Sequence, residues 1–592
     1  MNQSIFNTPA HLNCDAYKIG HFFQYPKGQT QLFLNMTPRS DYWFKSPLVV
    51  DGVVVWGIQN LVERYLKDHW DNSFFRRDED EVVAEWEMYT GGVLGDVGSD
   101  HIRKLHQLGY LPVAVMAPSE GTVVPIKTPI MLVESTHKDF AWVASYLEDV
   151  LSNELWKPCT VATISLHYRR LLEMFAQETC DNSDHVPYQA HDFALRGMSG
   201  SNDGGTTNTG HLLYFKGTDS FPAVYNIHKL YGGEVSDIAS SIPATEHTVM
   251  MSNIAAETMG MKIEDVPKWC KDAADNDEDA FRCYGEYLYL KRLMTEIYPT
   301  GLFSAVMDTF NYFRNLTVIL PKLKEHIMAR DGKVVVRPDS GNPINIICGY
   351  KTIDWSDVVE WFGLPDYCTL SNLPAYVTEE IKEEGYEMVV KHSFHDVYTV
   401  LELDTLEIYD MGEEELKGSL ELLWKVFGGT TNNKGYRVLD SHIGLIYGDS
   451  ITLDRADEIL SRMKEMGFAS SNVVFGVGSF TYNYMTRDTF GFAVKATATT
   501  VKGETLMLAK QPKTDNGVKK SAKGYITAYY SDKDSTKIVM EDNLDREEWL
   551  ESLKDTYCIY RLKFFQGVTH TVKKADGSGL AMTRKYAEKF VY

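Results

Sequence analysis

The sequence predicts an α/β protein built on a (β/α) barrel-like domain, and three observations predict it. From about residue 190 onward, a short apolar run, a polar or glycine-bearing turn and an amphipathic segment recur in that order. The polar residues suited to chemistry stand where the apolar runs end. The glycine turns come last, where barrels of this kind often hold a phosphate.

Leu302 to Met307 leads to Asp308 and then Thr309-Phe310-Asn311-Tyr312-Phe313. Val334-Val335-Val336 leads to Arg337-Pro338-Asp339-Ser340-Gly341-Asn342-Pro343. Ile443 to Tyr447 leads to Gly448-Asp449-Ser450 and a helix with Leu453, Ala456, Ile459, Leu460 and Met463 on one face. Val473-Val474-Phe475 leads to Gly476-Val477-Gly478-Ser479. Strand, loop and helix in this order make a parallel sheet or barrel, and right-handed crossovers bring the loops to one end. Residues 1–155 mix short β-like runs with helices, and 488–592 contain alternating segments such as Tyr525 to Tyr530 that read as antiparallel strands. The barrel region is 156–487, and within it 345–440 lacks any loop of catalytic character. Its middle, 371–425, carries 14 acidic and 4 basic residues, which marks an inserted acidic surface subdomain.

A chain of 592 residues exceeds one ordinary core. Its 44% apolar and 12% aromatic content is globular. The 59 basic and 82 acidic residues leave a net charge of −23, which argues against a nucleic-acid partner but not against a small anion. The 8 cysteines are dispersed without C-x-x-C spacing, so neither a disulfide framework nor a zinc module is expected and a reducing cytoplasm is. Neither a signal peptide nor an apolar run near the ~20 residues of a membrane span is visible.

Arg337 to Pro343 places a cation, a carboxylate and backbone N–H groups around one spot, suited to ribose hydroxyls, a metal ion, an oxyanion or an aromatic amide. A capped turn with a surface ion pair gives the same pattern. Gly448-Asp449 and Gly476 to Ser479 suit close phosphate approach, although tight βα turns also use glycine for steric reasons. Phe193 could stack on a flat ring while Arg196 meets a phosphate; a core Phe and a loop Arg are the plain alternative. Asp219 is as suited to N-capping as to ligand binding. Glu246 and His247 pair a carboxylate with an imidazole, and a lone His is usually a structural hydrogen-bonder. Residues 487–523 hold 8 basic and 3 acidic residues, a local reversal of sign that suits a polyanion.

Taken together, the segments Asp15-Ala16-Tyr17-Lys18, Arg39, 191–197, 215–220, Ser241 to His247, Arg337 to Pro343, Gly448-Asp449, Thr486-Arg487-Asp488, Lys510-Gln511-Pro512 and Lys519 to Gly524 resemble the nicotinamide phosphoribosyltransferase family of type II phosphoribosyltransferases. The resemblance covers most of the chain in order. It implies an α/β barrel beside a mixed α+β domain built from both termini (1–155 with 488–592), in a homodimer with shared active sites. It implies transfer of the phosphoribosyl group of PRPP to nicotinamide, with Mg²⁺ and with stimulation by ATP through a phosphohistidine at His247 that Glu246 orients. No residue is assigned to the metal.

By the same resemblance, Phe193 and the Tyr17 of a second copy sandwich nicotinamide. Asp219 accepts the carboxamide N–H and Arg337 donates to its oxygen. Ser304 and Asp308 line the pocket and its tunnel. Asp339 and Asp449 accept ribose hydroxyls; Gly448, Gly478 and Ser479 cradle the 5′-phosphate. Arg196, with Arg39, Arg487, Lys495 and Lys510 of the second copy, holds phosphate and pyrophosphate, and Lys519 and Lys520 are further contacts to the polyphosphate of PRPP or ATP. The loop Gly476 to Phe480, Leu195 and the 345–440 insertion look like bacterial and phage members. An acid-specific transferase is the alternative in the same class, decided at Asp219. A non-catalytic binding protein acting through the acidic insertion is the alternative in another class.

Overall fold

Val334, Val335 and Val336 offer no polar face, which suits a strand covered on both sides, and all three are buried in the strand Asp331–Arg337. Ile443–Tyr447 and Val473–Val477 follow the same rule. A computed structural model describes residues 8–592 apart from 362, 364, 366–368, 370–386, 392–397, 403–407, 449, 515–519, 533–535 and 573–577. The chain divides into two compact units.

One unit comprises residues 172–191 and 241–478. Its sheet has the order Ala190–Asp192, Val473–Val477, Ile443–Tyr447, Asp331–Arg337, Thr300–Val306. Tyr447 pairs with Phe475, Leu445 with Val336 and Val306 with Arg337, each in a parallel ladder. A parallel bridge from Ala244 to Ser304 adds one further segment beyond Thr300–Val306. The result is the expected α/β class, a curled parallel half-barrel. Parallel strands require crossovers. The helix Leu453–Glu465 supplies one, buries Leu453, Ala456, Ile459, Leu460 and Met463, and starts at Thr452, which accepts from the Arg455 N–H at 3.3 Å. Among the described residues of the acidic insertion, a separate four-stranded sheet runs Thr352–Asp354, Glu387–Lys391, Tyr398–Glu402, Ile408–Met411. Much of the insertion's acidic middle lies outside the described residues.

The other unit comprises residues 1–171, 192–240 and 479–592. Its seven-stranded sheet has the order Glu504–Met507, Ala493–Val501, Gln29–Thr37, Met131–Ser135, Val113–Ala117, Arg561–Phe565, Val568–Thr569. Gln29–Thr37 is antiparallel to Ala493–Val501 on one side and to Met131–Ser135 on the other. Phe33 from that strand lies 4.5 Å from Tyr525 and 5.2 Å from Trp549, ring centre to ring centre, so both chain ends share one aromatic cluster. Trp56 stacks on Tyr231 at 5.4 Å and donates from Nε1 to Thr209 at 2.9 Å. The cysteines at described positions are free. No helix among the described residues is long and apolar enough to cross a membrane.

The barrel strands start from a fixed base. Arg330, 6% exposed, faces carbonyls in place of a carboxylate. Its guanidinium donates to Met294 O at 2.6 Å, to Tyr298 O and to Gly301 O at 3.0 Å, and it lies 5.0 Å over the Phe303 ring. The first two carbonyls close the helical stretch that ends at Ile297, where a cation is favoured by the helix dipole. Arg330→Met should strand these carbonyls and lower the unfolding free energy by about 3 kcal/mol. An unchanged midpoint of thermal unfolding would refute this role.

Candidate active site

A strand that pairs on both sides delivers its last side chains to the carboxyl edge of the sheet, and Arg337 and Asp339 arrive there by that route. The Asp339 N–H donates to Asp308 Oδ2 at 2.9 Å, and the Ser340 hydroxyl donates to the same oxygen at 2.6 Å. Asp308 itself leaves the neighbouring strand end, where the Met307 N–H donates to Arg337 O at 3.0 Å. Asp308 therefore locks two strand ends together. Its other oxygen, Oδ1, is buried without a hydrogen bond.

The segment Pro243 to Thr245 runs along Thr300–Val306. Ser304 N donates to Pro243 O at 2.8 Å and Thr245 N to Ser304 O at 3.0 Å, while Thr245 Oγ1 receives Val306 N at 2.9 Å. This pairing places Glu246 and His247 at the start of the helix His247–Glu257. His247 Nε2 stands 3.7 Å from Asp308 Oδ1 and 3.7 Å from Asp339 Oδ2, and Nδ1 is 3.3 Å from Thr309 Oγ1. Its side chain is 41% exposed and so open to a ligand. Glu246, expected to orient the ring, is exposed at the N-cap of the helix; the orienting hydroxyl is that of Thr309. Ser304 is buried, and its hydroxyl has no hydrogen bond.

Gly448 packs against this pair of strand-end side chains. A Cβ there would sit 2.4 Å from Asp339 Oδ1 and 3.4 Å from Arg337 Cδ, so any side chain displaces the carboxylate. Arg337 is half-buried, with its Nε without a partner. Gly478 is buried just past the end of its strand. Asp449 lies outside the described residues.

In the other unit, Asp192 organises a second group. Its carboxylate is fully buried and accepts from Ala194 N at 2.9 Å, Asn208 Nδ2 at 3.4 Å and Thr218 Oγ1 at 3.0 Å, and its carbonyl receives Asp219 N at 3.0 Å. These bonds fix the half-buried Phe193, the exposed Arg196 that follows and the exposed Asp219 relative to one another. Ser220 precedes the helix Phe221–Tyr231 as its N-cap and makes no side-chain cap bond. Gly197 touches Ser479 so closely that a Cβ would fall 2.0 Å from Ser479 Oγ.

The basic residues of this unit gather as well. Lys495 has its pKa lowered first by burial and further by the charges of Arg39, Lys510 and Lys18, while Glu148, 3.9 Å away, raises it. Cations held that close suit an anion that spans them. Arg39 is tied through Nε to Gly491 O at 2.7 Å, and Lys510 through its backbone to Ser521. Arg487 and Lys520 are exposed, and Lys519 lies outside the described residues. Tyr17, 60% exposed, presents its ring to solvent beside the Lys18–Glu148 pair.

Sequence reasoning missed Thr309, Ser340 and Asp192. Each adjoins a residue it had singled out, but a serine or threonine beside a functional aspartate carries no distinct sequence signal. A fourth omission is the support behind Asp308. Asn315 donates from Nδ2 both to Met307 O and to Glu286 Oε1, each at 2.8 Å. Glu286 is fully buried, and burial, opposed by Asn315 and Arg314, pushes its pKa up to about 8.

Comparison with known proteins shows the family to which the chain belongs. Residues 188–560 match the nicotinate phosphoribosyltransferase (NAPRTase) family, and residues 10–113 match the N-terminal domain of nicotinamide phosphoribosyltransferase. A nicotinamide phosphoribosyltransferase of Acinetobacter baylyi is 38% identical over 521 residues, 86% of each chain. One from Mycoplasma pneumoniae is 29% identical over 85% of this chain and 92% of its own.

Glu286 generates a pH prediction. Its folded pKa lies above its unfolded value of 4.5, so the folded state holds the extra proton and stability falls as pH rises from about 4.5 to about 8. Glu286→Gln should flatten that fall, which for one proton reaches at most about 1.4 kcal/mol per pH unit. Thermal unfolding of both proteins from pH 5 to pH 8 checks it. Parallel curves would contradict a neutral Glu286.

Proposed function

Because the chain belongs to the nicotinate phosphoribosyltransferase family, with the N-terminal domain of nicotinamide phosphoribosyltransferase, we propose that it transfers the 5-phosphoribosyl group of PRPP to nicotinamide. The products are nicotinamide mononucleotide and pyrophosphate, which places the enzyme in NAD salvage. The observation that carries the choice of amide over acid is Asp219, an exposed carboxylate that Asp192 sets in one hydrogen-bonded group with Phe193. A carboxamide can donate to it, whereas the carboxylate of nicotinic acid would meet a like charge.

In the reaction, the pyridine nitrogen forms a bond to C1 of the ribose as the bond from C1 to pyrophosphate breaks. The transition state resembles an oxocarbenium ion, and no protein nucleophile is needed. Orientation and fixed charge supply the acceleration. Phe193 offers a ring face to the pyridine, with Tyr17 of a second copy on the other face, in a homodimer. Arg337 donates to the carboxamide oxygen, and Asp339, held by Asp308, accepts from the ribose hydroxyls, a role Asp449 shares. Gly448, Gly478 and Ser479 receive the 5′-phosphate with Arg196; Arg39, Arg487, Lys495 and Lys510 of the second copy hold pyrophosphate, and Lys519 and Lys520 add contacts to the polyphosphate of PRPP or ATP.

Among the described residues, no group of three or more His, Cys, Asp or Glu is placed to hold a metal ion. A Mg²⁺ that travels with PRPP needs only one or two carboxylates besides the substrate oxygens, and the unbonded Asp308 Oδ1 with Asp339 fits that demand. When bound, the ion neutralises charge on the leaving pyrophosphate. His247, half-exposed and oriented by Thr309, suits phosphorylation from ATP: a ring nitrogen gains the γ-phosphoryl group, ADP leaves, and later hydrolysis returns the free ring.

Incubation with PRPP, Mg²⁺ and either nicotinamide or nicotinic acid tests the reading; turnover with the acid alone would sink it. Asp219→Ser should lower the amide-to-acid ratio of kcat/KM about tenfold, close to 1.4 kcal/mol. Treatment with labelled ATP should leave acid-labile phosphate on the wild type and none on His247→Ala. A wild type without such phosphate would remove the ATP step.

A further inference from the structure

Lys157 lies on the long helix Glu148–Thr179 and is 8% exposed. An ammonium that far from water is stable only when paired and fully hydrogen-bonded. Its Nζ ion-pairs with Asp203 and donates to Asn483 Oδ1 at 2.6 Å. Asp203 in turn accepts from Ser199 N at 2.9 Å and from Thr207 Oγ1 at 2.8 Å. Asn483 completes the circuit by donating from Nδ2 to Gly197 O at 2.9 Å, while its own N–H donates to Ser479 O at 2.6 Å.

Two chain segments 282 positions apart thus meet through one ammonium, the first following Arg196 and the second starting at Ser479. The contact they share is the tight approach of Gly197 to Ser479. Without Lys157, Asp203 would be left as a partly buried carboxylate without its ion pair, and Asn483 Oδ1 would lose its ammonium donor.

On the reading of Gly478, Ser479 and Arg196 as the 5′-phosphate ligands, we infer that Lys157 is a positioning residue for that phosphate: through Asp203 and Asn483 it holds the Arg196 loop and Ser479 at the spacing one phosphate spans. It touches no substrate. Its effect falls on PRPP and not on the nicotinamide end.

The test compares wild type, Lys157→Met, Lys157→Arg and Asn483→Leu in the full-length enzyme, with thermal unfolding measured alongside. Lys157→Met and Asn483→Leu should each lower kcat/KM for PRPP about tenfold while the KM for nicotinamide stays within about twofold. Lys157→Arg, which keeps the charge, should recover most of the loss. If Lys157→Met does not fold, Lys157→Met with Asp203→Asn removes the lone carboxylate and should show the same PRPP defect. Wild-type kinetics in the Met and Leu variants, or a parallel rise in both KM values, would overturn the inference while leaving the function standing. A wild type that does not consume PRPP would overturn both.

Discussion

The carboxyl edge of the parallel sheet is packed at backbone contact, and the chemistry of that unit depends on it. A Cβ on Gly476 would fall 2.7 Å from Tyr447 O and 2.9 Å from the Cα of Gly448, and one on Gly448 would strike the Asp339 carboxylate. Three strand ends therefore approach with no side chain between them. That closeness lets Asp308 accept from both the backbone and the hydroxyl of the next strand end, and it brings two carboxylates to one imidazole. Adjacent carboxylates repel, and the arrangement holds because Asp308 spends one oxygen on neutral donors.

Charge is organised locally, against the overall balance. The chain carries −23, yet Lys495 shares its surroundings with Arg39, Lys510 and Lys18. Glu148 answers two of these cations at once, bonding Lys18 and lying near Lys495. Asp149 adds a second negative charge on the Lys18 side, and Lys495 faces Arg39, Lys510 and Lys18 with Glu148 as its opposing charge, a setting that suits an anion.

Much of the fold was legible because its strands are apolar or alternating runs bounded by turns. Ile443–Tyr447 and Tyr525–Tyr530 begin and end where apolar patterning places them. Of the candidate residues, Arg337, Asp339, His247 and Asp219 drew notice in the sequence because they stand at ends of elements. Their supports did not. Asp308 was a candidate for the pocket lining, but its bond to Asp339, 31 positions on, exists only because the two strands are neighbours. Lys157 sits inside a helix, where a lysine ordinarily faces water. Asn315 reaches Met307 from a helical turn with i→i+5 bonding, a geometry that 3.6-residue periodicity does not reveal. Long-range hydrogen bonding is fixed by topology, and a linear pattern holds no trace of it.

The central strand of the terminal-bearing unit, Gln29–Thr37, has one neighbour about a hundred residues away in sequence and another more than four hundred and fifty away. During synthesis the first neighbour is available early, but Ala493–Val501 leaves the ribosome only after the whole of 172–478 has been made. For that interval Gln29–Thr37 is an open edge carrying Leu32, Phe33, Leu34 and Met36, the kind of edge on which nascent chains aggregate. The unit of 172–191 and 241–478 has time to settle first, and Ala493–Val501 then pairs with the open edge. A chain shortened before Ala493 therefore keeps the pairing of Gln29–Thr37 with Met131–Ser135 and leaves the other edge of that strand bare.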